Sequence, residues 1–451
     1  MNSTYALGFG VLGLVMAVLF IRALRPMWNR QQWTTATVLG LITVLLPNAT
    51  TAASVFLGSR SVILDGFYNG IVSYGGTAAK VNTIASPLLA VLALIVLAAS
   101  LKMSSKPNLA PAAIAGLVVL GLIFGSLYGS SLANGGVITL LLVLIAAVFV
   151  PRGRGVLEGA AIGLALLIVL SLLGSLVAAS SVSQSCGLRK CGALGFLFSG
   201  VADNNNAFGL LASMAIPVLY FGLRKHQLLF ATAAAVLAVS SGSRTGAIAA
   251  ACGLILCAIH KRAALRTGSL RLAIFAASVL GVGVGILPLL PLSPEAFTGR
   301  VALWRTAFSE MAKQPFIGHG GEFWRDQVNF RVIAHAAGYS THNQFVESYF
   351  VAGIFGIVLL FAAVIIALRA NRGHLGQVSI LLVPILICAL TERPWSLGPI
   401  DWLSWSLVVV LTIQFSTNAE TPEELPAEIA KASRGPQRRR GRRPLSAGSR
   451  W

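Results

Sequence analysis

Along most of the chain, apolar residues run on for about 20 positions at a time, and polar residues are confined to short stretches between the runs. A helix of that length crosses about 30 Å of hydrocarbon. The runs lack the period-two alternation of half-buried strands, so they predict helices. Read this way, spans lie near 4–24, 33–57, 84–101, 109–128, 136–150, 156–179, 204–223, 227–242, 245–260, 272–291, 346–368, 377–391 and 401–416. The pair 227–242 and 245–260, separated only by Ser243 and Arg244, also reads as two short half-buried helices. No A-x-A cleavage signal follows the first run, which is therefore expected to be a retained span.

Composition sharpens the class. Hydrophobic residues make up 56% of the 451 positions and charged residues 11%, against about 25% charged in a soluble chain. The expected fold is an all-α polytopic membrane protein with about 12–13 transmembrane helices and a large external loop containing short helices. The net charge of +20 would suggest nucleic acid in a soluble domain, but its distribution follows membrane topology. Lys and Arg collect in alternate short connections: Arg22/Arg25/Arg30, Lys102/Lys106, Arg152/Arg154, Arg224/Lys225, Lys261/Arg262/Arg266/Arg271 and Arg369/Arg372. By the positive-inside rule these are cytoplasmic, which leaves loops 58–83, 180–203, 292–345 and 392–400 outside. Residues 1–416 then form the membrane domain. Residues 417–451, with eight basic and four acidic side chains and no apolar period, form a disordered cytoplasmic tail. Its "PQRRRGRRP" is suited to anionic headgroups, and no nucleic-acid partner is expected.

Cys252, Cys257 and Cys388 lie in apolar runs and read as packing residues. Cys186 and Cys191, in "SQSCGLRKCGAL", lie in an external loop, where an oxidising compartment favours a disulfide. The largest external segment opens with Val301, Leu303, Trp304, Phe308 and Met311 set against Arg300, Arg305, Glu310 and Lys313. That pattern predicts a short amphipathic helix lying on the membrane with its Trp and Phe among headgroups, ended by Pro315 and the turn residues Gly318, Gly320 and Gly321. "GHGG" is a weak phosphate-loop signal, since no strand precedes it and no Lys-Ser/Thr follows.

The charges out of place carry the chemistry. Arginine at membrane depth costs roughly 2.5–3.5 kcal/mol on insertion scales, so Arg244, in "AVSSGSRTGAIAA", is expected to have a partner or a task. Arg300, Arg305, Arg325 and Arg331 add guanidiniums on the same side, where carboxylates are few. Guanidinium forks match phosphate oxygens bidentately. Such a cluster implies an anionic ligand at the lipid surface, as a lipid-linked pyrophosphate would be. The same face shows no DxD, no His-x-x-x-His and no carboxylate cage, so no metal or other cofactor is expected.

These stretches carry a resemblance. "SSGSRTGAIAA", "GRVALWRTAFSEMAKQPFIGHG" and "HNQFVESYFVAGIFGIVLLF", taken in order, resemble the successive signatures of the O-antigen ligase and polymerase family, and "DNNNAFGLLASMAIPVL" is similar to its Asn-containing span start. The likeness covers about 200–370. It implies a GT-C-like membrane glycosyltransferase of the bacterial plasma membrane, passing a glycan from undecaprenyl pyrophosphate to an acceptor hydroxyl on the outer face. The acceptor would be a glycan, a lipid or a protein. Carried over by position, Arg244 and Arg300 match the pyrophosphate-binding arginines, with Arg305 as a neighbour, and His342 matches the essential histidine. Asn206, Asn343, Glu347, Arg325 and Arg331 are further candidates for substrate contact. Ligase and polymerase are not separated by any signature here. A cell-wall polymerase, a transporter and a non-catalytic lipid-glycan-binding protein remain as other readings.

Local chemistry runs parallel to the resemblance. "THNQ" reads as a Thr-x-x-Gln capping box, which places His342 in the first turn of a helix, where the macrodipole favours a neutral, proton-accepting ring. Glu347, five residues on, is about 140° round that helix and cannot face His342. Asn343 or a loop arginine is its expected partner.

Overall fold

A computed structural model describes residues 3–29, 33–57, 60–64, 70–74, 76–103, 106–127, 135–186, 190–321, 323 and 341–415. The candidates Arg325 and Arg331 and the tail from 417 lie outside these described residues. In order, the helices are α1 Ser3–Asn29, α2 Thr35–Leu45, α3 Ala49–Phe56, α4 Gly76–Leu101, α5 Leu109–Leu127, α6 Gly135–Phe149, α7 Gly155–Val177, α8 Ala179–Val182, α9 Asn205–Gly222, α10 Gln227–Ser240, α11 Arg244–Lys261, α12 Arg266–Ile286, α13 Ala296–Lys313, α14 Gln344–Ala370, α15 Leu375–Thr391 and α16 Ser404–Thr412. Two short antiparallel hairpins accompany them: β1 Arg60–Leu64 with β2 Gly70–Tyr74, and β3 Ser183–Ser185 with β4 Phe196–Phe198. The molecule is an all-α multi-pass membrane protein.

Every predicted run contains a helix, but not all have the length of a full span. Eight described helices are long and apolar enough to cross a membrane, or nine if the bent α2–α3 pair is one span. The shortfall has local causes. Pro47 supplies no amide at the 54° break between α2 and α3. There the Asn48 side-chain amide donates to the Val44 carbonyl at 2.8 Å and also to the Trp402 carbonyl. In the run near 401–416 only α16 is helical, because Pro394, Gly398 and Pro399 hold the preceding chain irregular. That chain is nonetheless buried at Trp395, Ser396, Leu397 and Leu403. Irregular backbone inside a membrane protein needs its polar groups answered. The Gln344 side chain answers both the amide and the carbonyl of Trp395, and the Ile400 amide donates to the Gly136 carbonyl.

Between helices, small residues permit close approach. A Cβ on Gly159 of α7 would lie 1.9 Å from the Thr37 carbonyl oxygen of α2. The two sets of connections separate to opposite ends. The basic set meets at one end: Arg152 donates to the Pro107 carbonyl, Arg154 to the Phe221 carbonyl, Asn108 to that of Leu411 and Asn371 to that of Ile413. The connections 190–204, 241–243, 287–300, 341–343 and 392–400 gather at the other.

At that second end α13 departs from the expected interfacial helix. Its backbone is regular only from Arg300, because Phe297, Thr298 and Gly299 have left-handed dihedrals. Its apolar face is packed on protein, with Val301, Trp304, Ala307 and Met311 buried against Val346 and Phe350 of α14. Trp304 is fully buried and donates Nε1–H to the Thr341 carbonyl at 2.8 Å. An indole so satisfied has no need of the headgroup region. The following Pro-x-x-Gly-x-Gly segment also docks on α14, at a break where Gly353 has φ +59°. Carbonyls freed by the break accept from the loop: Phe350 from the His319 amide at 2.7 Å and Val351 from the Gly320 amide at 3.0 Å. Two of the four "GHGG" amides are thus committed to α14 and a third, of Gly318, to the Gln314 carbonyl, which counts against the phosphate-loop reading.

Candidate functional site

The site is built from turns that hold one another. In "DNNNA", Asn204 caps α9 by accepting the Ala207 amide at 2.8 Å, the classic use of a short polar side chain at a helix start. Asn205 donates to the Ser241 carbonyl at 2.8 Å and fixes the "SSGSR" turn. Asn206 accepts from Lys190 Nζ at 2.6 Å. Gly242 takes φ +71° to make that turn, and Ser243 caps α11 by accepting the Gly246 amide. Arg244 is therefore the first residue of α11, with an exposed side chain. Thr245, next to it, shares a 3.1 Å hydrogen bond with Thr391 at the end of α15.

That contact brings the start of α11 to "TERP". Glu392 accepts from Arg300 and lies 2.8 Å, through Oε2, from His342 Nδ1. Burial works to raise the Glu392 carboxyl, but His342 and Arg300 hold it below the ordinary carboxylate range. Arg393, the next residue, donates to Glu347 at 3.0 Å. Glu347 is buried in the first turn of α14, where it also accepts from the hydroxyl and amide of Thr341. Of the two partners expected for Glu347, an arginine is found and Asn343 is not.

Asn343 has a different task. It is the N-cap of α14, accepts the Val346 amide at 3.0 Å, and donates to the carbonyls of Val284 and Leu390. His342 consequently precedes the cap and is not in the first helical turn. It sits in the left-handed region at φ 50°, a conformation that costs a non-glycine residue of order 1–3 kcal/mol. The Thr-x-x-Gln box does not form because Thr341 turns to Glu347 and to the Asn343 carbonyl.

Arg300 and His342 thus meet on Glu392, and Arg244 stands at the start of α11, whose next residue touches Thr391. Arg305 does not join them. Five residues after Arg300 it is about 140° round α13, and it donates to the Leu292 carbonyl at 2.5 Å. In the sequence Glu392 is only one of the few carboxylates in the outer loops, and neither Lys190 nor Arg393 belongs to a motif. The available signal was "TERPW", two adjacent charges at the end of an apolar run, where an ionisable residue is by default a functional candidate.

With Nδ1–H donated to the Glu392 carboxylate, the basic lone pair of a neutral His342 lies on Nε2. The carboxylate would stabilise the positive charge the ring acquires on taking a proton. Lys190 lies within electrostatic reach of Arg244, Arg300 and Glu392, three cations to one carboxylate, so this neighbourhood is suited to an anion.

The geometry can be set beside known families. No curated protein matches the chain. Residues 228–361 match the family model described as O-Antigen ligase, a segment that holds Arg244, Arg300, Arg305, His342, Asn343 and Glu347 but neither Glu392 nor Lys190. Over that segment, less than half of the 451 residues, the chain is similar to the O-antigen ligase family.

Proposed function

We propose that the protein transfers a glycan from a polyprenyl-pyrophosphate donor to an acceptor hydroxyl at the outer face of a bacterial plasma membrane. The observation that carries this reading is the chain Arg300–Glu392–His342, which couples a phosphate-matching guanidinium to a candidate base through one carboxylate. Arg244 and Arg300 bind the pyrophosphate and stabilise it as it leaves, in the manner of fixed positive charge directed at developing negative charge. Nε2 of His342 accepts the acceptor hydroxyl proton as the oxygen attacks the anomeric carbon. The C–O bond to pyrophosphate breaks on the opposite face, so the configuration inverts.

The outward face is supported by the distribution of Lys and Arg, whose basic short connections lie at the end opposite the site. Metal independence belongs to the same reading. The test is a lipid-linked donor assay with purified protein in detergent. His342→Ala should lose about 10²–10⁴-fold in turnover, the usual contribution of a positioned base, with donor binding and thermal stability near wild type. EDTA should change nothing. Normal turnover by His342→Ala removes the base, and loss of activity in EDTA removes the metal-free mechanism. The choice of acceptor, lipid-linked glycan for a polymerase or another hydroxyl for a ligase, is read from the product of the same assay.

A further inference from the structure

Lys190 comes to the arginine cluster from a separate part of the chain. It lies between β3 and β4, next to Cys191, which is disulfide-bonded to Cys186. Three contacts determine where that end of the hairpin sits. The Gly192 amide donates to the Phe196 carbonyl at 3.1 Å. Gly192 is pressed so closely on the turn before Arg244 that a Cβ there would lie 2.2 Å from the Ser240 carbonyl oxygen. A Cβ on Gly242 of the same turn would lie 3.2 Å from the Cys191 backbone. Asn206 then holds Lys190 Nζ, while Asn205 holds the turn itself.

The electrostatics agree with this placement. Burial lowers the Lys190 ammonium to about 8, with Arg300 and Arg244 also lowering it and Glu392 raising it. A half-buried lysine near two arginines, held by the Asn206 amide oxygen, carries a repulsion and desolvation cost in the unliganded protein. A phosphate beside it would remove that cost.

We propose that Lys190 is a third cation of the anion site, a direct contact for the pyrophosphate, and that the Cys186–Cys191 disulfide presents it there by bracing the hairpin against the "SSGSR" turn. This rests on the pyrophosphate reading of the Arg244 and Arg300 cluster. It adds a residue from outside the segment that matches the family model, and a redox condition on binding.

One calorimetric titration tests it, using the full chain in detergent with farnesyl pyrophosphate as probe at pH 8.5, in two buffers of different ionisation enthalpy. Near its pKa of about 8, Lys190 is largely deprotonated at that pH in the free protein. Binding of the anion should raise its pKa, so wild type should take up a fraction of a proton. Lys190→Gln should weaken binding about ten- to hundredfold, the worth of one hydrogen bond to a charged group, and abolish the uptake. Lys190→Arg should restore most of the affinity without the uptake, because a guanidinium stays charged. A structural role alone would not move the proton count. Reduction of wild type, or the Cys186→Ser/Cys191→Ser pair, should weaken binding in the same direction.

If Lys190→Gln binds and takes up protons like wild type while Arg300→Lys is weakened, Lys190 is not a contact and the pyrophosphate reading stands without it. If no protein, wild type included, binds the probe, that reading fails and the proposal falls with it. Unchanged affinity after reduction overturns the disulfide's part.

Discussion

At the residue scale the arrangement turns on Glu392, one carboxylate serving both a guanidinium and an imidazole. An opposite charge within about 4–6 Å of a titrating or developing charge is worth about one to three powers of ten. Glu392→Gln, which keeps the shape and an acceptor oxygen but removes the charge, is therefore expected to lower turnover about 10–1000-fold with the fold intact. Wild-type turnover by that variant would reduce Glu392 to a structural link. The pH dependence has a definite sign. Because the Glu392 carboxyl is held below its ordinary value of 4.5, its stabilising link is fully present above that pH. The link is lost as pH falls through the lower, folded-state value. A melting-temperature series into acid should show this limb in wild type and a shallower one in Glu392→Gln. Arg300→Lys keeps charge but loses the fork that serves both carboxylate and phosphate, so donor affinity should fall. Arg305→Lys should be close to neutral, since Arg305 donates to the Leu292 carbonyl and acts on Glu295, both away from Glu392. The reverse order in binding measurements would move the clamp to Arg305.

At the element scale, two devices hold the site. One is the dock of the Pro315–Gly321 segment on the broken helix α14. Gly318 has φ +68°, and a Cβ there would lie 2.7 Å from the Phe350 carbonyl oxygen and from the Ala352 and Gly353 amides. Gly318→Ala meets both left-handed strain and backbone, at a cost of roughly 1–3 kcal/mol for the dihedral alone. A clear fall in melting temperature is expected, together with loss of the His319–Phe350 stacking that the dock supports. An unchanged melting curve would show that the loop can move away at little cost. The other device is the disulfide-closed hairpin. A membrane-impermeant thiol reagent should label Cys186 or Cys191 only after reduction, and should leave Cys257 and Cys388 untouched, since both are buried. Labelling without reductant would contradict the bond.

At the scale of the whole molecule, the two ends differ in chemistry. Basic connections meet at one end through arginine and asparagine bonds to helix-end carbonyls, and the cationic cluster with Glu392 occupies the other. The distribution of Lys and Arg in the sequence leads us to expect residues 417–451 in the cytoplasm, away from the proposed outward chemistry. Truncation after Thr417 should then leave turnover in vesicles largely intact. Abolished turnover in a well-folded, correctly inserted truncate would overturn that sidedness.

Much of this could be read along the chain, because a membrane imposes a one-dimensional rule: each span must satisfy its own backbone, and the runs near 20 residues declare it. The helices, the basic alternation and the motif arginines and histidine depend on local composition, and so did the pairing of two nearby cysteines in one loop. What depends on distance in sequence was not legible. Glu392 is 92 residues from Arg300 and 50 from His342, and nothing in a single sequence says which of several carboxylates the fold will bring between them. The same holds for Lys190, which reaches the cluster through the packing of a hairpin on a turn, and for Arg393 and Glu347, 46 residues apart. His342 shows the limit within a motif. "THNQ" permits two cap registers, and the choice fell to Asn343 because the ends of α12 and α15 offered its side chain the carbonyls of Val284 and Leu390. Hydrogen-bond partners from other elements decided the register, and with it the direction in which the histidine faces.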